Sequence, residues 1–230
     1  MSLGRVVRTA TGALRPGFWR GLIAARQAQA FDARYGTDTV QAVPVAAMDA
    51  VPAAAAAHAV HYEASAIPKL QQALAAVVRA LGGRLPACAF VDVGSGKGLA
   101  VMLASRHPFR EVVGIEMAPA LHAIAERNAV RFAAAHPDAA PMRFVLGDAL
   151  TAPLPDGPAV VYLYNPFDAT VLAPFAARLA RATAQGHELL VAYVNPVHRE
   201  LLDRADGYET LWDNGRVVVY RVRPAGGTAP

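Results

Sequence analysis

Cysteine, lysine and long apolar runs are all scarce in this chain of 230 residues. The single cysteine, Cys88, excludes an intrachain disulfide and suits a reducing compartment, so we expect a cytoplasmic protein. The sequence has no Cys/His cluster of the kind that holds a structural zinc ion, and we expect no metal site. No apolar run reaches the roughly 18 residues of a membrane-spanning helix, so we expect no span.

Basic residues are concentrated at the start of the chain. Five arginines precede the first acidic residue: Arg5, Arg8, Arg15, Arg20 and Arg26. Such a start is typical of a transit peptide, a membrane-surface helix or a nucleic-acid-binding arm, but we favour a helix that packs beside the following domain. Because most of the net charge of +4 comes from this stretch, the remainder is near neutral, and binding of nucleic acid is only weakly supported.

The most informative segment is 90–98, an apolar run that opens into closely spaced glycines. Glycines at such a turn allow the backbone to lie directly against a ligand. A phosphate-binding P-loop is disfavoured because Val91 stands where its first glycine is required and Gly98 follows the lysine. A dinucleotide fingerprint fits poorly because Leu99 occupies the position of its third glycine. An ordinary tight turn remains the alternative until the later strands are considered.

Polar residues end three further apolar runs. Glu116 follows the second run at the spacing of a strand-helix-strand unit, where an acid can bind a ribose diol. Met117 is then placed to pack on an adenine face. Asp148 ends the third run, where it can accept from an adenine amino group while the Ala149 N–H donates to the ring. Asn165 ends the fourth run, so all of these residues are expected at the ligand-binding edge of a parallel sheet.

The pattern D-x-G-x-G-x-G, formed by Asp92, Gly94, Gly96 and Gly98, resembles the first motif of class I S-adenosylmethionine (SAM) dependent methyltransferases. The resemblance extends over about residues 60–221 and implies SAM as cofactor and S-adenosylhomocysteine as product. It implies that Asp92 faces the methionine end of SAM and that the glycines, with Ser95 between them, leave room for the sugar. Two other interpretations stay open: a SAM-binding module without catalysis, and an oxidoreductase that uses NAD.

Asn165, Pro166 and Phe167 are the candidate catalytic residues. They resemble the Asn/Asp-Pro-Pro-aromatic motif of amino-group methyltransferases, with one proline missing, and the Asn-containing turn of protein-lysine methyltransferases that lack a SET domain. The Asn165 oxygen can accept from an amine, Pro166 fixes the preceding carbonyl, and Phe167 can stack on the acceptor. The resemblance implies a nitrogen acceptor, on a protein or a small amine, with nucleic acid as the alternative. A simple helix-entry turn is the bland interpretation.

A second segment lies ahead of the glycine loop. Tyr62, Glu63 and Ser65 are similar to a segment of some protein-lysine methyltransferases that folds over the methionine tail of SAM. Capping of the next helix alone would explain Ser65. The whole chain is also similar to bacterial proteins described only as SAM-dependent methyltransferases, which share the pattern of residues 31–36 and Asn195-Pro196. His198 is more typical of a surface residue than of a proton acceptor.

The order of the elements predicts an α/β fold. We expect a Rossmann-like, doubly wound, mostly parallel seven-stranded sheet with an antiparallel C-terminal hairpin strand at Asn214-Gly215. Helices are expected near 66–81, 97–106, 118–135, 168–182 and 197–204. Residues 1–60 are expected to form an N-terminal helical extension or lid, and 61–230 the SAM-binding domain. Lys97 has no predicted role beyond pointing to solvent, and the oligomeric state stays open.

Overall fold

The structure is a computed structural model that describes residues 16–41 and 67–224. Within these ranges the helices are α1 (Pro16–Tyr35), α2 (Ile67–Leu81), α3 (Leu99–Ala104), α4 (Pro119–Ala135), α5 (Ala169–Ala184) and α6 (Arg199–Asp203), with a 3-10 helix at Gly82–Ala87. The strands are β1 (Ala89–Val93), β2 (Glu111–Glu116), β3 (Met142–Leu146), β4 (Ala159–Tyr164), β5 (Leu189–Val194), β6 (Tyr208–Asp213) and β7 (Val217–Val222).

The described strands form one seven-stranded sheet in the order β3-β2-β1-β4-β5-β7-β6. Strands β1 to β5 pair in parallel, and β7 runs antiparallel to both of its neighbours. The predicted fold class is therefore confirmed. The chain reverses its direction of winding between β1 and β4, and open sheets of this kind bind ligands outside the carboxyl ends of the strands at that point.

Helices cover both faces of the central strands, which explains why those strands are almost continuously apolar. Alternate residues of β1 enter different cores: Val91 packs in the core under α5, and Phe90 packs in the core under α2. Phe175 of α5 and Leu70 of α2 are both nearly inaccessible to solvent. The two cores hold the sheet rigid, so the loops at its carboxyl edge are presented on a fixed frame.

The hairpin predicted at Asn214-Gly215 is present between β6 and β7. Its connection spans three residues, 214–216, and the Asn214 N–H donates to the Val217 oxygen at 3.2 Å. The Asn214 Oδ1 accepts from the N–H groups of Arg216 (3.0 Å) and Val217 (2.9 Å). Within this turn, only Gly215 has a positive φ, +77°. The side chain of Asn214 therefore organises a wider turn than the two-residue turn that Asn-Gly usually forms.

Several boundaries differ from the sequence-based expectations. Cys88 lies directly before β1, and its thiol lies 3.4 Å from the oxygen of Arg84 in the 3-10 helix. Helix α3 is shorter than predicted because residues 97 and 98 belong to the glycine loop. Helix α2 ends at Leu81, before Gly82, as predicted.

No helix among the described residues is long and apolar enough to cross a membrane. The domain boundary predicted at residue 60 lies outside the described residues and stays a prediction.

Candidate active site

The carboxyl ends of β1, β2 and β4 meet at the glycine loop. The N–H groups of Gly94 and Ser95 both donate to the Ile115 oxygen, at 2.9 and 3.0 Å, which ties the loop to β2. Gly94, Gly96 and Gly98 all have positive φ angles: +74°, +54° and +84°. A Cβ on Gly94 would lie 3.1 Å from the Cβ of Pro166. The predicted acceptor turn therefore lies against the predicted cofactor loop.

Glu116 is almost completely buried at the end of β2. Its Oε2 accepts from the Gly96 N–H at 2.7 Å, and its Oε1 accepts from the Ala118 N–H at 2.8 Å. Burial raises the pKa of Glu116, and these backbone donors act in the opposite direction. Each oxygen retains a second lone pair for a ligand hydroxyl. The carboxylate is held in one orientation, as the predicted ribose contact requires.

Asp92 is the second buried acid of the site, with a relative exposure of 4%. Burial, and then the neighbouring Glu116, raise its pKa from 3.8 to about 8. Two buried carboxyl groups beside each other are unfavourable when both are ionised, and a bound cation relieves that cost. SAM carries a sulfonium and an ammonium group, so its charge suits these two acids.

A buried polar oxygen and a close packing contact lie between the glycine loop and β2. The Ser95 Oγ is buried and has no hydrogen-bond partner among the described residues. A Cβ on Gly114 would lie 2.7 Å from that oxygen and 2.8 Å from Cδ1 of Phe144. Gly114 therefore lets the loop and the Phe144 ring pack directly on β2. Sequence reasoning missed this role, although a glycine inside an apolar strand is a known sign of close approach.

The loop after β3 is held from outside by Arg178 of α5. The Arg178 Nη1 donates to the Ala149 oxygen at 2.6 Å, and its Nη2 donates to the Ala152 oxygen. Asp148 is exposed, and its Oδ1 accepts from the Leu150 N–H at 2.8 Å. The role of Arg178 could not be predicted from the sequence, because nothing local to a helical arginine indicates which distant carbonyl it binds. The adenine contacts of Met117, Asp148 and Ala149 stay predictions.

Asn165 adopts a left-handed conformation after β4, with φ of +43°. Its Oδ1 accepts from the hydroxyl of Tyr193 on β5 at 3.1 Å. The Tyr193 hydroxyl accepts in turn from the His198 N–H at 3.4 Å. Since that hydroxyl has one proton, the His198 contact directs the proton toward Asn165. Asn195, with φ of +51°, repeats the left-handed turn after β5.

The remaining residues that the sequence singled out differ in where they lie. The Phe167 ring packs on Phe175 with centroids 5.4 Å apart, so part of it is engaged by the core and its stacking role stays a prediction. The His198 Nδ1 lies 3.7 Å from Glu200, near the surface. Lys97 contradicts the expectation of a solvent-facing side chain: it is 1% exposed, because it forms an ion pair inside the protein. Three residues lie outside the described ranges: Tyr62, Glu63 and Ser65.

Comparison with known proteins gives the family of this site. Residues 91–190 match a family model described as a methyltransferase domain, and the strand order with an antiparallel β7 is that of class I. The match covers 100 of the 230 residues and identifies this part of the chain as a methyltransferase domain. The cofactor of this class is SAM. No curated protein matches the chain in sequence.

Several solved structures resemble this methyltransferase. An RNA methyltransferase from Salinibacter ruber is 22% identical, with a TM-score of 0.45, over 70% of this chain and 94% of the other. The ribosomal protein L11 methylase from Lactobacillus delbrueckii subsp. bulgaricus is 16% identical, with a TM-score of 0.47, over 69% and 79%. The magnesium protoporphyrin IX methyltransferase from Synechocystis PCC 6803 is 13% identical, with a TM-score of 0.49, over 68% and 80%. The assignment rests on the family match and the strand order.

We expect Glu116→Gln to weaken SAM binding by about 1.5 kcal/mol, or roughly tenfold. The amide that replaces the carboxylate has one oxygen, whereas Gly96 and Ala118 both donate to this side chain, so one N–H loses its acceptor. Isothermal titration with SAM measures the effect. Glu209→Gln on β6 is the control, since Glu209 is exposed and forms its ion pairs with Arg221 and Arg223 of the C-terminal hairpin. Equal affinity of Glu116→Gln and the unaltered protein would show that Glu116 does not bind the ribose.

Proposed function

We propose that this methyltransferase transfers a methyl group to an amino nitrogen, with Asn165, Pro166 and Phe167 forming the acceptor site. A protein lysine or a small amine is the favoured acceptor class, and we place the reaction in the cytoplasm because the single cysteine suits a reducing compartment. The observation that carries the proposal is the oriented Asn165 amide, which the Tyr193 hydroxyl holds beside the glycine loop.

A neutral amine needs hydrogen-bond acceptors that orient its lone pair toward the methyl group. The Asn165 Oδ1 uses one lone pair for Tyr193 and retains the other. The carbonyl of Asn165 precedes Pro166, whose ring limits the conformation of this turn. Both oxygens belong to a turn that contacts Gly94. An amine held there would lie next to the proposed cofactor site, which is the alignment that methyl transfer requires.

A lysine lies beside the side chain of Tyr164, the last residue of β4. The Lys69 Nζ lies 3.4 Å from the Tyr164 hydroxyl and 5.4 Å from the centre of the Tyr164 ring. Tyr164 directly precedes Asn165.

The cofactor contacts form the second part of the proposal. When bound, SAM supplies a methyl group on a sulfonium sulfur, with S-adenosylhomocysteine as the product. We propose that Glu116 binds the ribose hydroxyls, that Asp92 binds the methionine end, and that Ser95 Oγ gains a polar partner. The glycines of the loop provide space for close approach. The adenine contacts are assigned to Met117, Asp148 and Ala149. The lid contacts are assigned to Tyr62, Glu63 and Ser65, which directly follow the proposed N-terminal extension of residues 1–60.

The acceptor class can be tested with SAM that is isotopically labelled in its methyl group. Purified protein is incubated with labelled SAM and with separate protein, nucleic-acid and small-molecule fractions of a bacterial extract. We expect base-stable label in the protein or small-molecule fraction, and mass spectrometry should place the methyl group on nitrogen. Label on oxygen, sulfur or carbon would contradict the amine proposal. Label on nucleic-acid nitrogen would retain the chemistry but reject the favoured acceptor class.

The same experiment separates an enzyme from a binding module. SAM binding by titration without labelled product in any fraction would contradict the amine-transfer proposal and favour a non-catalytic module. A matched reaction with Asn165→Ala shows whether label depends on the proposed site rather than on a contaminating enzyme. Loss of labelled product in this variant, at unchanged SAM affinity, is the expected result.

A further inference from the structure

Lys97 is one of only two lysines in the chain, and it lies inside the glycine loop between Gly96 and Gly98. Its side chain is almost completely inaccessible to solvent. The Lys97 Nζ donates to the Asp38 Oδ1 at 2.8 Å and to the backbone oxygen of Gln41. A buried ammonium group is costly unless it is paired and hydrogen-bonded, so these contacts specify how the segment after α1 meets the loop.

Asn128 of α4 completes the arrangement. Its Nδ2 donates to the backbone oxygens of Lys97 (3.0 Å) and Asp38 (2.9 Å). Its Oδ1 accepts from the backbone N–H of Asp38 at 2.9 Å. Asp38, Lys97 and Asn128 therefore connect three parts of the protein, and we call these three residues the clasp. Asn128 is 1% exposed, so its amide has little freedom to turn toward water.

The segment that carries Asp38 is itself held in one conformation. The Asp32 carboxylate, at the end of α1, accepts from the Thr37 hydroxyl at 2.7 Å and from the Thr39 hydroxyl at 2.9 Å. It also accepts from the N–H groups of Thr39 and Val40, at 2.8 and 3.2 Å. These bonds hold the turn that carries Asp38 in one conformation. This ordered turn gives a local structural reason for the pattern around residues 31–36 noted in the sequence.

We propose that the clasp positions the glycine loop for SAM and that Lys97 is a positioning residue for cofactor binding; this rests on the cofactor site proposed above. The neighbouring Gly96 N–H donates to Glu116, so a shift of Lys97 moves the donor that orients the ribose-binding carboxylate. Three glycines with positive φ give the free loop many conformations. Anchoring Lys97 selects one of them before SAM arrives and lowers the ordering cost of binding.

Two variants test the clasp in the full-length protein. Lys97→Met keeps the length of the side chain but removes the charge, and Asp38→Asn removes the charge of the partner. We expect each to weaken SAM binding about tenfold by isothermal titration, and the double variant to bind little worse than either single variant, because the pair acts as one unit. In the SAM-free protein, hydrogen exchange at Gly96 and Gly98 should become faster in each variant.

Arg106→Met is the matched control, because Arg106 pairs with Asp138 at 2.7 Å on the surface of the same domain. Its SAM affinity and loop exchange should equal those of the unaltered protein. Folded Lys97→Met and Asp38→Asn proteins with unchanged SAM affinity would overturn the proposal, even if both melt at lower temperature. If Lys97→Met does not fold, Asp38→Asn decides alone, since the Asp38 side chain is 33% exposed. Absence of SAM binding by the unaltered protein would overturn the cofactor site and the clasp proposal together.

Discussion

Asn165→Ala is expected to lower kcat by about 100-fold while SAM affinity changes little. The variant removes the amide oxygen that we assign to the acceptor, but it leaves the glycine loop and both buried acids in place. The left-handed backbone at this position adds a cost, because alanine enters that region less readily than asparagine. Steady-state kinetics with the acceptor identified by label transfer, together with titration of SAM, measure the two effects separately.

Tyr193→Phe separates the orientation of the Asn165 amide from its presence. This variant retains the amide but removes the hydroxyl that directs it, so we expect a smaller loss of kcat, about tenfold. Tyr208→Phe is the matched control. The Tyr208 hydroxyl donates to the Ala176 oxygen at 2.9 Å, and Tyr208 aligns with the start of β5, at the edge of the sheet opposite the carboxyl ends of the parallel strands. Full activity of Asn165→Ala would reject the acceptor site. Full activity of Tyr193→Phe would reject only the role of the contact with Tyr193.

The sequence predicts the fold and the strand-end acids because both follow from local patterns. Apolar runs with polar ends locate β1, β2 and β4, and the parallel order then brings Asp92, Glu116 and Asn165 to one edge of the sheet. The glycine spacing indicates a close approach at the loop. These features depend on the spacing of apolar residues along the chain and on short connections between elements, which a single sequence shows directly.

The supporting contacts were not predictable in this way. Asp38 and Lys97 are far apart in the chain, as are Arg178 and the loop that it holds. Nothing local distinguishes a lysine that points to solvent from one whose ammonium group is buried against a distant carboxylate. The sequence shows that lysine is scarce. It does not show that Lys97 is buried, because that depends on the packing of the turn after α1 against the glycine loop. Tertiary packing therefore supplied the residues that orient the site, and local sequence supplied those proposed to contact the ligand.

SAM binding is expected to release about one proton at pH 7, because Asp92 has a raised pKa in the SAM-free protein and loses its proton when SAM binds. The pKa of about 8 keeps this buried acid largely protonated in the SAM-free protein. If Asp92 faces the cationic methionine end, binding favours its ionised form. The dissociation constant should then fall by about tenfold per pH unit between pH 6 and 7.5. Calorimetric titration in two buffers of different ionisation enthalpy measures the protons released.

Asp92→Asn removes the titrating carboxyl group. The variant also tests how Asp92 changes the pH dependence of the free energy of unfolding. An unfolded aspartate ionises near pH 3.9, whereas folded Asp92 retains its proton up to about pH 8. Between these values the folded state binds the extra proton, so the contribution of Asp92 to the free energy of unfolding falls as pH rises. The variant should lose both this slope and the proton release on SAM binding. Proton release that persists in Asp92→Asn would assign the titrating group to another residue, and Glu116 would be the next to test, since burial raises its pKa as well.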